Sequence, residues 1–218
     1  MFLGHYAVGL AAKRAAPGVS LGVLFGAAQL ADILWPFLLA LGAEQVRIDP
    51  GNTAFTPLDF ASYPYSHSLL LLPVWGVAAG WLFVRRDRRA MALVALVVVS
   101  HWFLDALMHR PDLPLYPGGP RIGLGLWNSI PATIAVELGL YAVGVWMYVR
   151  GTRARDAVGR WGFAILAATL LLIFAGDALS SSAPPSVGAL TAVAIAGGVL
   201  FTAWSWWADR HRTAVSGP

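Results

Sequence analysis

Ala90-Met91-Ala92-Leu93-Val94-Ala95-Leu96-Val97-Val98-Val99-Ser100-His101-Trp102-Phe103-Leu104-Asp105-Ala106-Leu107-Met108-His109 decides the fold. A helix needs roughly 20 apolar residues to cross about 30 Å of hydrocarbon. This run supplies them, with only Ser100, His101, Asp105 and His109 interrupting it. Similar apolar windows fall at about 19–42, 67–84, 126–149, 160–180 and 187–208. Together they predict an all-α, polytopic transmembrane bundle of about six spans, filling residues 1–218 as a single integral membrane domain. Phe2–Ala12 is apolar too, but short. It ends at Lys13-Arg14, and Pro17-Gly18 breaks the chain after it. This predicts a short helix over 2–13, either re-entrant from mid-membrane or lying flat at the interface.

Composition agrees. Hydrophobic residues make up 58% of the chain and charged ones 12%, where soluble domains carry about 25% charge. Mean hydropathy is +0.66. A soluble chain of this size cannot bury so much apolar surface in one core. The isoelectric point near 9.9 invites a nucleic-acid reading, which the placement of the basic residues argues against. They sit in short clusters beside the apolar windows, the usual topology signature of membrane proteins. With no cysteine, any metal must be held by His, Asp, Glu or water. The N-terminus shows no basic region or small-residue cleavage site, so no removable signal peptide is expected.

The basic clusters set an expected orientation. Lys13 and Arg14 precede the first window. Arg85, Arg86, Arg88 and Arg89 separate the second and third. Arg150, Arg153, Arg155 and Arg160 lie around the junction of the fourth and fifth, and Arg210 and Arg212 follow the sixth. All of these fall on one side, leaving Arg47, Arg110 and Arg121 on the other. The positive-inside rule then puts both ends of the main bundle in the cytoplasm. The two longest loops, 43–66 and 110–125, face outward. They are rich in Pro and aromatic residues, which suits either a cap over a cavity or plain connection. Trp204, Trp206 and Trp207 suit an aromatic belt at the inner interface. Gly22, Gly26, Gly76 and Gly80 suit close helix packing.

Ionisable groups at membrane depth cost at least about 2.5–3.5 kcal/mol each at the centre on insertion scales, so each one calls for a reason. They are Asp32, His67, His101, Asp105, His109 and Glu137. At about 1.5 Å per residue, the expected topology puts most of them in the outer half of the bilayer. A re-entrant first helix would bring His5 to the depth of Asp32. His101 and Asp105, at i and i+4, share one helix face and can bind one metal together. His109 continues that face about 12 Å further along the axis. It is expected to serve a second ion or a substrate head group.

Several of these residues stand in motifs: Gly4-His5, Ala31-Asp32-Ile33, Ser66-His67-Ser68-Leu69-Leu70, and Ser100-His101-Trp102-Phe103-Leu104-Asp105 followed by a Pro-rich tail through Pro114 and Pro117. Their order and spacing over roughly residues 1–120 resemble the YdjM-type inner-membrane proteins, a family of predicted metal-dependent hydrolases. That family usually shows Asp-x-Asp-His, where this chain continues from Asp32 with Leu34 and Trp35. It usually shows His-Arg-Gly-x-Thr-His-Ser, where this chain has Ser62 at the first His position. The resemblance implies location in the cell's inner (plasma) membrane and hydrolytic chemistry at a metal centre.

A hydrolytic zinc site takes three protein ligands from His and carboxylate and leaves a position for water. His5, Asp32, His67, His101 and Asp105 are the candidate ligands of a divalent metal, with zinc expected. Glu137 and His109 are the candidates for catalytic roles, Glu137 as base or supporting partner. The expected substrate is a phospholipid or lipid-linked phosphoester entering from the outer leaflet. Two rival expectations use the same residues. Buried Asp, Glu and His also build proton pathways in transporters, and a non-catalytic descendant of a hydrolase could keep them as interhelical hydrogen bonds.

Overall fold

Each predicted window begins and ends on recognisable local chemistry. The computed structural model describes residues 1–180 and 182–215; residues 181 and 216–218 of the single domain expected over 1–218 lie outside the described residues. Helix α1 runs over Leu3–Ala15. The first long window is a bent pair, α2 over Leu21–Ala28 and α3 over Leu30–Ala40, with 56° between them. Ser20 starts α2 by accepting the Val23 N–H, an N-cap that satisfies an otherwise free donor. Within α3, Pro36 has no N–H to offer the Asp32 carbonyl one turn earlier.

The window expected at 67–84 departs from a single helix. His67 closes a short turn, α4, over Pro64–His67, and Ser68 is extended. Helix α5 starts only at Leu72 and ends at Val84. Pro73 is the reason: proline is tolerated in a helix's first turn and disrupts its interior, so the helix begins beside it. Thirteen residues cover about 20 Å, short of a full hydrocarbon core.

The remaining windows hold. Asp87 caps α6, Arg88–Met108, through the Arg89 and Ala90 N–H groups. Ser129 caps α7, Ile130–Gly151. A π-helical turn over Val158–Gly162 leads into α8, Phe163–Leu179. Ser186 caps α9, Val187–Arg210. Among the described residues, four helical segments are long and apolar enough to cross a membrane, and the bent pair, taken as one span, makes a fifth. The chain is thus mostly helical, with four to five candidate crossings where hydropathy gave six.

Helix α1 lies inside this bundle, against α7, α2 and α6. Its residues from Leu3 to Ala7 are all buried, as are Gly9, Leu10, Ala12 and Lys13. Contact with α7 is close enough that a β carbon on Gly144 would lie 2.7 Å from the Ala7 backbone. At the other end of α1, the Lys13 ammonium donates to Asp209 at 2.6 Å. Asp209 also accepts from the Leu21 N–H at 2.9 Å and the Tyr148 hydroxyl at 2.8 Å. One carboxylate on α9 thus ties α1, α2 and α7 together, and its pairing relieves the cost of burying the charge.

Short antiparallel pairings close both ends. β1 (Gln45–Ile48) pairs with β2 (Leu58–Ser62) in the first long loop. β3 (Leu113–Pro114) pairs with β4 (Arg121–Ile122) in the second. β5 (Thr152–Ala154) and β6 (Arg212–Ala214) join the ends of α7 and α9. Of the two expectations for the long loops, the structure shows packing over the helix ends. The Pro114 carbonyl accepts the Trp102 indole N–H at 3.0 Å, and the Phe60 ring sits 4.8 Å from that of His109.

Candidate metal centre

The polar residues of α1, α3, α4 and α6 meet at one point, the carboxylate of Asp105. Four imidazoles approach it through Nε2. His5 and His101 lie 3.1 Å away, His109 3.8 Å and His67 3.9 Å. Asp32 faces the same space, with its Oδ1 at 3.4 Å from His67 Nε2 and 3.8 Å from His101 Nε2. The nitrogen of Met1 lies 2.6 Å from Asp105 Oδ1.

The far nitrogens determine what these rings present. His101 Nδ1 is 2.8 Å from the Ala28 carbonyl, which can only accept, so the ring donates there. Its Nε2 then carries a lone pair toward two carboxylates and has no hydrogen-bond partner. For His67, the Ser66 hydroxyl lies 2.6 Å from Glu44 Oε2 and 2.7 Å from His67 Nδ1. The hydroxyl donates to the carboxylate and accepts from the ring. Asp112 Oδ1 takes His109 Nδ1–H at 2.9 Å and the Tyr63 hydroxyl at 3.0 Å. Burial pushes the Tyr63 hydroxyl well above its usual range, and the nearby Asp112 carboxylate adds to the effect, so it stays a donor. Three rings are therefore held by Nδ1 with Nε2 free, the arrangement in which metal-ligating histidines are commonly oriented. His5 Nδ1 has no partner, which leaves its tautomer open. Its ring stacks on His101 at 3.7 Å.

Lone pairs aimed at carboxylates repel unless a cation lies between them. A proton on each ring is one solution, and a divalent ion another. Ligands about 2.0–2.1 Å from a tetrahedral zinc lie roughly 3.3 Å from one another. The donor separations of 3.1–3.9 Å here bracket that value. Among the described residues, two triads bring their ligand atoms within 4.8 Å of one another, His5–His101–Asp105 and Asp32–His67–His101. Both use His101, and its single free Nε2 serves one ion. They are therefore alternatives for a single ion. An all-N/O donor set suits zinc and other borderline divalent ions.

The structure brings His5, Asp32, His67, His101, Asp105 and His109 together. The 12 Å axial offset expected for His109 does not separate it. Extended backbone at His109 ends α6, and the ring folds back to Asp105. Glu137 occupies a different place. Its two oxygens accept the Phe2 and Gly4 N–H groups, both at 2.8 Å. It caps α1 from α7 and so positions His5, with no carboxylate oxygen left without a partner.

Glu44, Tyr63 and Asp112 support the centre without standing in any of the motifs. Asp112, three residues after His109 in a tight Pro-containing turn, is the one that spacing can find. Glu44 carries no sequence signal, because only folding of the 43–66 loop brings it to Ser66. Access to the centre is one-sided. The imidazoles and Asp105 have side-chain exposures of 5% or less, whereas Asp32 is 42% exposed. Anything entering reaches the Asp32 edge first. No family model matches the chain, and neither does any curated protein or solved structure.

Proposed function

We propose that the protein is a membrane-embedded, metal-dependent hydrolase of a phospholipid or lipid-linked phosphoester. One observation carries the reading: three imidazoles whose Nδ1 atoms are anchored turn their Nε2 atoms on a pair of buried or half-buried carboxylates. A divalent ion bound there, zinc by donor type, would supply hydroxide at neutral pH by lowering the pKa of a water to about 7. His101, Asp105 and a third donor from His5, His67 or Asp32 would hold the ion. Ala28, Ser66 with Glu44, and Asp112 keep the rings in register. His109, 3.8 Å from Asp105, faces an incoming head group, and Asp32 borders the path by which it enters. Glu137 acts through α1, as a positioning residue for His5.

On this reading the bent pair α2/α3 and the short α5 each cross the membrane, giving six crossings. α1 enters as a re-entrant helix with Lys13-Arg14 toward the cytoplasm. Support comes from the burial of α1 and from the gathering of arginines at the α5–α6, α7–α8 and α9 ends. The membrane is then the cell's inner membrane, and the substrate approaches from the outer leaflet. The motif resemblance to the YdjM-type proteins points the same way.

The test is metal content by mass spectrometry on detergent-purified protein. The expected result is about one equivalent of zinc in wild type and its loss in both His101→Ala and Asp105→Ala. Metal-free wild type from metal-replete cells overturns the proposal in favour of proton-coupled transport, the reading in which protons satisfy the same lone pairs.

A further inference from the structure

Two neighbouring cavities, the first at the arginine-rich α5–α6 turn, share a wall at Phe83. The first, about 920 Å³, lies between the α1–α2 turn and the α5–α6 turn. Arg85, Arg86 and Arg89 line it, with Pro17, Val19 and Phe83. The second, about 670 Å³, is an apolar groove between α2/α3, the α5–α6 hairpin and α9. Its walls include Gly22, Gly26, Leu30, Ile33, Val199 and Phe83. Phe83 belongs to both. Val19 and Leu93 of the first cavity are followed directly in sequence by Ser20 and, past Leu93, Val94 of the second.

The two cavities have opposite chemistry. Among the described residues, no ion pair engages Arg85, Arg86 or Arg89. The one carboxylate in that cavity, Asp87, accepts the Arg89 and Ala90 N–H groups as the cap of α6. Three guanidiniums are thus left facing open space with positive charge in excess. The Arg85 guanidinium lies 5.7 Å from the centre of the Trp81 ring, an aromatic–cation pair of the kind found at a membrane interface. The groove, by contrast, is walled almost wholly by carbon, and at its floor Gly22 lets α2 approach Trp206 of α9 closely.

Length fits as well. From Ser20 to Ile33 the two helices rise about 20 Å, less the loss at their bend, against roughly 15 Å for half a bilayer's hydrocarbon core. A charged pocket beside an apolar groove one leaflet long has the amphipathic layout of a lipid.

We propose that the neighbouring cavities bind one anionic phospholipid, with its phosphate on Arg85, Arg86 and Arg89 and one acyl chain along the groove toward Ile33. The phosphate in this pose lies about 20 Å from the Asp32 end of the groove. It does not reach the histidine centre. The bound lipid is therefore a resident of the fold and not the hydrolase's substrate, and the inference stands or falls independently of the metal reading.

Native mass spectrometry of the protein released from detergent, with equimolar phosphatidylglycerol and phosphatidylcholine, tests it. One phosphatidylglycerol is expected to remain bound in strong preference to phosphatidylcholine. Juxtamembrane basic residues contribute roughly fivefold in affinity each to anionic lipid. The triple variant Arg85→Gln, Arg86→Gln, Arg89→Gln is therefore expected to lose about a hundredfold, falling to the phosphatidylcholine level. Ala203→Trp, at an exposed position lining the groove, is expected to weaken retention of both lipids while keeping the preference. Inorganic phosphate, lacking a chain, should not displace the lipid. Equal retention of the two lipids by wild type, or unchanged phosphatidylglycerol binding in the triple variant, overturns the proposal. So does full displacement by inorganic phosphate together with normal binding in Ala203→Trp, which would mark a simple anion pocket. The substituted side chains are exposed, and unchanged helical circular dichroism distinguishes a lost ligand from a lost fold.

Discussion

His101 and Asp105 sit one turn apart on α6, with His101 Nε2 3.1 Å from Asp105 Oδ2 while the ring's Nδ1 donates to the Ala28 carbonyl at 2.8 Å. The backbone contact matters as much as the carboxylate. In the neutral ring it holds the tautomer whose lone pair faces inward, so the pair is satisfied by a proton on that nitrogen or by a metal ion, and not by a neutral hydrogen bond. Among the described residues, Asp105 alone lies within 4 Å of four imidazoles, which makes it the point on which the centre depends.

On the proposed reading, Asp112 is expected to act on the substrate through His109. Removing a carboxylate that orients an imidazole of a metal site typically costs about 10–100-fold in metal affinity or activity. Asp112→Ala should lose activity on a lipid phosphoester by that factor, with metal content and helical content unchanged. Metal lost in Asp112→Ala would place His109 among the ligands instead.

Glu137 should matter first for stability. In Glu137→Ala the Phe2 and Gly4 N–H groups lose their acceptors, at about 1–3 kcal/mol for each buried donor left unsatisfied. A lower thermal midpoint in detergent is expected, with weakened metal binding because α1 carries His5. Glu137→Gln keeps one carbonyl acceptor and should fall between the two. A wild-type midpoint in Glu137→Ala would remove the capping role.

Gly144 is where α1 meets α7. An added β carbon would come within 2.7 Å of the Ala7 backbone, and overpacking of this kind costs about 1–3 kcal/mol. Gly144→Ala is expected to lower the unfolding midpoint in detergent. Gly139→Ala, on the same helix with nothing within 4 Å of its added carbon, is the control and should be neutral or stabilising. Equal behaviour of the two would show that α1 does not pack there.

Asp156 provides a pH test away from the membrane helices. Its carboxylate accepts from His211 at 2.7 Å and from the Gly159 N–H at 2.8 Å, and these bonds hold it below its ordinary value of 3.8. A carboxylate depressed by folding stabilises the protein above its unfolded value and loses that contribution as pH falls through the folded one. The midpoint difference between wild type and Asp156→Asn should be constant from neutral to mildly acidic pH and shrink below 3.8. A difference that persists unchanged at lower pH would assign it to the asparagine itself.

The sequence alone determined the solvent of this protein and the course of most of its helices. Apolar runs such as 90–109 and 187–208 admit one structure in lipid, because each backbone polar group there must be satisfied within its own segment. The i, i+4 spacing of His101 and Asp105 likewise follows from helical period alone. Hydropathy could not show that the window at 67–84 is broken, since apolar content says nothing of where Pro73 lets a helix start. Nor could it choose between a surface-lying and a buried α1, because both bury the same apolar residues. That choice came from Glu137 accepting the N–H groups of Phe2 and Gly4, and from Gly144 admitting the Ala7 backbone. The centre itself was decided only in three dimensions. His109 joins it because the chain leaves α6 there and the ring turns back, and His67 is aimed by Glu44 from another loop. Axial rise along one helix measures neither, since side-chain direction beyond a helix end depends on what the tertiary structure packs against it.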